Sequence, residues 1–73
     1  MTTTDQTNAI SDCKYEIQHY EDRQKREGLK PEIVRNLQFY RELLMELIEG
    51  KDEEGNEITN FREHLQNNLL YNG

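Results

Sequence analysis

Residues 31–50, PEIVRNLQFYRELLMELIEG, carry more apolar surface than a helix with a single neighbour can hide. At 100° per residue, Ile33, Leu37, Tyr40, Leu44, Leu47 and Ile48 fall within roughly 100° of arc, the width a helix presents to a core. Val34 and Met45 widen the arc on one side, and Phe39 and Leu43 widen it on the other. Arg35, Gln38, Glu42, Glu46 and Glu49 are left as the polar face. Pro31 suits the first helical position, where its missing N–H costs nothing, and Gly50 supplies the stop. A helix of this kind lies between two others or against a partner. The sequence therefore predicts an all-α fold built on a central helix at 31–49. The candidates are a small three-helix bundle and a helical hairpin with a third short helix.

The flanks are weaker. A first helix is expected over 11–27, with Ser11 as N-cap, Asp12 in the first turn, and Ile10 and Tyr15 at the spacing of a hydrophobic staple. Cys13, Ile17, Tyr20 and Gln24 recur at four-three-four spacing, a narrow seam of coiled-coil type. Gly28 is placed to end that helix, with Leu29 folding back onto its last turn. The connection Gly28-Leu29-Lys30 is so short that the two helices must be antiparallel neighbours or form a helix-turn-helix corner. Residues 51–57 read as a loop turning at Gly55-Asn56. A third helix is expected over 60–70, where Asn60 and Glu63 have capping-box spacing and Phe61, Leu65 and Leu69 form one face. Residues 1–9 read as a disordered tail and 10–73 as a single small helical domain.

With 73 residues the chain holds one core at most, and a core of that size gives thin stability. Cys13 is the only cysteine, so no intrachain disulfide can help. Cys13, His19 and His64 have no recognised zinc spacing. If Gly55 is taken as the glycine of a calcium-binding loop, Gly50 falls at the first ligand position and Phe61 at the last, so the match fails. No metal and no cofactor are expected. Self-association remains as the means of support, and a homodimer is expected through the Phe39 and Leu43 edge of the long helix. There is no apolar run that could span a membrane, and the first nine residues lack the basic start and apolar core of a secretory signal, so the cytoplasm is the expected location. His19 and His64 sit among charges with no evident nucleophile beside them. The expectation is a protein that is not an enzyme and has no small-molecule substrate.

The net charge of −6 is laid out unevenly. Between Glu42 and Glu57 the acids Glu42, Glu46, Glu49, Asp52, Glu53, Glu54 and Glu57 face Lys51 alone, so the rest of the chain is neutral overall. Glu42 and Glu46, and again Glu46 and Glu49, are like-charge neighbours that cost helix stability, which argues for a purpose beyond solubility. The residues expected to bind a protein partner are Phe39 and Leu43 as apolar anchors, with Glu42, Glu46, Glu49, Asp52, Glu53 and Glu54 steering association. The function expected on these grounds is a small acidic interaction or regulatory protein that binds and modulates a larger protein. Small acidic inhibitors made by phages and mobile elements have this general profile. The alternative is a DNA-associated, helix-turn-helix-like regulator using the basic cluster over 23–35. Nucleic acid is disfavoured because the would-be recognition helix carries its acids along the polar face.

Overall fold

A computed structural model of the chain describes residues 3–69. It is all-α, with helix α1 at Thr4–Glu27, α2 at Pro31–Glu49 and α3 at Phe61–Asn67. The long dimension of 38 Å is set by α1, whose 24 residues span roughly 36 Å at 1.5 Å each. α2 runs back along α1. Their contacts extend from Arg23 with Glu32 near the turn to Gln6 with Leu47 at the far end. Contact along the whole length makes the pair an antiparallel hairpin. A helix-turn-helix corner would touch only near its turn. α3 packs mainly on α1.

The core is largely the work of α2, which contributes Ile33, Leu37, Tyr40, Leu43 and Leu47, all buried. α1 contributes Ala9, Cys13 and Tyr20, and α3 contributes Leu65. The Tyr20 and Tyr40 rings stack with centroids 5.5 Å apart, filling the middle of the hairpin. The seam expected on the first helix is therefore present, with Cys13 and Tyr20 fully inside and Ile17 and Gln24 half-buried.

Several boundaries differ from the sequence reading. α1 begins at Thr4, not near residue 11, so positions 4–9 of the expected tail are helical; residues 1 and 2 lie outside the described residues. The N-cap is Thr3, whose hydroxyl accepts from the Gln6 N–H at 3.1 Å; Ser11 lies well inside the helix. With the helix already under way there, Ile10 and Tyr15 form no staple, and Tyr15 is 73 % exposed. Gly28 ends α1 as expected, but at φ 87°, ψ −173°, a region reached almost only by glycine. That extended exit carries the chain away from the helix, so Leu29 does not fold back and stays 79 % exposed.

α2 keeps its expected ends. Gly50 takes the left-handed conformation at φ 76°, ψ 19°, and its N–H and that of Lys51 both donate to the Glu46 carbonyl. The loop after it is compact. Lys51 and Glu57 form an isolated antiparallel bridge, and the Gly55 N–H closes a turn onto the Asp52 carbonyl at 3.0 Å. The Asp52 carboxylate accepts from the N–H groups of Glu54 and Asn56, which fixes the tip of the acidic loop. α3 starts with Asn60 as N-cap, its side chain accepting from the Glu63 N–H at 3.0 Å, as the spacing predicts. It is shorter than 60–70, ending at Asn67, and residue 70 lies outside the described residues.

Candidate functional site

The first turn of α1 decides where the acidic loop and α3 lie. Gln6 donates its side-chain amide to the Leu47 carbonyl at 2.8 Å and to the Ile48 carbonyl at 3.4 Å. These are among the carbonyls that a helix C-terminus leaves unsatisfied. Asp5 accepts the N–H of Phe61 at 2.9 Å, a donor that the start of α3 would otherwise leave open. One turn of α1 thus holds the end of α2 and the beginning of α3, and the intervening loop closes over the polar edge of α2.

A groove of about 330 Å³ forms between that edge, the loop and α3. Phe39 and Leu43 line it, Glu42 and Glu46 project from α2, and Asp52, Glu53 and Glu54 come from the loop. His64 and Asn68 close the α3 side. Seven of the eight residues expected at a partner site meet here. The exception is Glu49, which is exposed and does not line the groove.

The apolar pair is placed differently from the expectation. Leu43 is 3 % exposed and belongs to the core, and Phe39 is half-buried, set edge-on to Tyr40. Neither forms a free apolar edge: Leu43 lies in the core, and α3, packed mainly on α1, reaches this side of α2 through its side chains. Leu65 enters the same core, and His64 bonds to Glu46 across the two helices. The sequence had no means of showing which edge α3 would cover. The free apolar positions of α2 are Val34, Met45 and Ile48, on the opposite edge.

The acids are not equivalent. Glu46 is half-buried and its carboxylate lies 2.9 Å from His64 Nε2. Asp52 is occupied by two backbone N–H groups. Glu42, Glu53 and Glu54 are exposed and supply the charge open to a ligand. His64 was missed as a site residue. The sequence held no specific signal for it, beyond its place beside Leu65 on the third helix. The side chains lining the groove are five carboxylates, the His64 imidazole, the Asn68 amide and the hydrocarbon of Phe39 and Leu43.

The basic cluster of 23–35 is partly neutralised within the hairpin. Arg23 bonds Glu27 at 2.9 Å and lies 3.9 Å from Glu32, while Lys30 reaches Glu27 at 3.0 Å. The hydrogen bond from Arg23, then that from Lys30, hold the Glu27 carboxyl down at about 2. No helix among the described residues is long and apolar enough to cross a membrane. Compared with known proteins, the chain matches no family model, no curated protein and no solved structure.

Proposed function

We propose that this protein is a small acidic interaction protein, without catalytic activity of its own, that docks on a larger protein partner and modulates it. The observation that carries the reading is the convergence of Glu42, Glu53 and Glu54, three exposed acids from two elements, on one groove floored by Phe39. Such a surface favours a basic segment of the partner. Charge steers the encounter, and the half-buried ring supplies the apolar contact that slows release.

The alternative, a DNA-associated regulator using the 23–35 cluster, draws less support. Lys25, Arg26 and Arg35 are exposed, but Arg23 and Lys30 are engaged with Glu27. The test is affinity capture from extract of the source cells with two baits, the natural chain and one carrying Glu42→Lys, Glu53→Lys and Glu54→Lys. A protein retained by the first and lost by the second supports the groove. Identical retention by both baits removes it, and capture of nucleic acid that weakens steeply with salt favours the alternative.

A further inference from the structure

The edge of α2 away from the groove holds a second pattern. Val34, Met45 and Ile48 are 43 %, 53 % and 49 % exposed, on a helix whose other aliphatic side chains are buried or half-buried. With Gln38 and Arg41 they occupy 34, 38, 41, 45 and 48, the four-three-four-three spacing of a two-stranded coiled-coil seam. Along one flank of this seam Arg35, Glu42 and Glu49 recur every seven residues, and all three are exposed. The flank has its cation in the first half of the helix and its anions in the second.

That order selects an orientation. Parallel pairing would set the charged flank against the opposite one, where Leu37 is buried and Leu44 half-buried. Antiparallel pairing sets the flank against its own reverse, so Arg35 of each copy lies beside Glu42 of the other. In the same register Val34 meets Met45, and Gln38 meets Arg41. The two Arg41 side chains are thereby kept apart, each already paired with Glu21 of its own chain at 3.2 Å. Glu49 is carried toward the turn of the other copy, where Lys25, Arg26 and Lys30 lie.

We infer that two copies of this chain associate antiparallel through the stripe formed by Val34, Met45 and Ile48, flanked by reciprocal Arg35 and Glu42 pairs. Glu42 borders both this face and the groove, whereas Met45 and Ile48 line only this face. The inference therefore does not depend on the docking reading, and either can fail alone. A seam of this length covers less than the roughly 800 Å² per partner of a standard interface, so the dimer is weak.

Sedimentation equilibrium on the full chain tests it. The mass is expected to rise toward that of two chains between about 10 μM and about 1 mM, the range suited to so small an interface. Met45→Glu with Ile48→Glu substitutes exposed positions, so helicity by circular dichroism should be unchanged while the mass falls to that of one chain. Charge exchange then tests the orientation. Arg35→Glu makes one chain's flank wholly acidic, and Glu42→Arg with Glu49→Arg makes the other's wholly basic. Each variant alone should stay monomeric, and an equimolar mixture should form a heterodimer at least about tenfold tighter than the natural dimer. A natural chain monomeric throughout the range overturns the inference, and so does a dimer indifferent to Met45→Glu with Ile48→Glu. A mixture that stays monomeric overturns the antiparallel register.

Discussion

Cys13 is completely buried, with its Sγ 3.5 Å from the Tyr40 carbonyl oxygen. Burial, reinforced by the Glu16 carboxylate, pushes the thiol from its ordinary 9.0 up to about 11. The folded chain therefore holds this proton where the unfolded chain has lost it. Its contribution to stability is complete below pH 9, declines as the unfolded thiol ionises, and is lost as pH rises through about 11. A rise of that size leaves roughly 100-fold less thiolate at neutral pH, before any loss of access. Iodoacetamide at pH 8 should accordingly label Cys13 at least about 100-fold more slowly than the exposed thiol of a control chain carrying Cys13→Ala with Ser11→Cys. Equal rates would place Cys13 at the surface. Leu47 has the same zero exposure at the far end of the hairpin, so Leu47→Ala should cost about 2–5 kcal/mol in urea unfolding. For a domain of this size that is a large share of the whole, and a cost near zero would mean that the site collapses onto the missing atoms.

The ends of the helices divide into those that one residue settles and those that a distant contact settles. Pro31 fixes its own φ, and Gly28 and Gly50 permit the positive φ at which their helices stop, which is why positions 27, 31 and 49 were readable directly from the sequence. The start of α1 was not, because what holds it lies elsewhere in the chain. Gln6 reaches carbonyls 41 and 42 positions away, and Asp5 reaches an N–H 56 positions away. A local signal did exist. Thr3 and Gln6 have the capping-box spacing, and Ala9 extends the Cys13 seam back by one turn, but the polar composition of 1–9 masked both. Gln6→Ala should therefore cost about 1 kcal/mol, and Asp5→Ala a similar amount. Unchanged urea midpoints for both would mean that the first turn of α1 clasps nothing. At the other end of α1, the Arg23 and Lys30 hydrogen bonds lower the Glu27 carboxyl from 4.5 to about 2. Their support for the turn is complete above pH 4.5 and is lost as pH falls toward about 2. Carbon-13 titration of the Glu27 carboxyl should show that low midpoint and its return toward the ordinary value in Arg23→Gln. An ordinary midpoint in the natural chain would deny the ion pair in solution.

Across the whole molecule the two edges of α2 have different fates, and composition alone could not assign them. Both were apolar in sequence, and the loop could have turned α3 toward either. The charge layout was legible because it needs no fold to count, and folding gathers it further. The loop returns over α2, so Glu53 and Glu54 come to the same groove as Glu42 and Glu46. The Glu46 carboxylate there lies 2.9 Å from His64 Nε2, and Asp52 is held by backbone N–H groups, but the exposed acids repel one another. Screening should relieve that repulsion, so the urea midpoint should rise from low salt to about 0.5 M sodium chloride, where the Debye length has fallen to only a few ångström. Glu53→Lys with Glu54→Lys should raise stability at low salt by some tenths of a kcal/mol, up to about 1 kcal/mol, and blunt the response to salt. If the groove serves a partner, the same pair of substitutions must also slow association with it, because the charges that strain the free protein are the ones that steer the encounter. A variant that gains stability and still captures the partner at the natural rate would make the acidic end a solvated surface and nothing more. A chain whose stability ignores both salt and substitution would show that the crowding is too well solvated to cost anything.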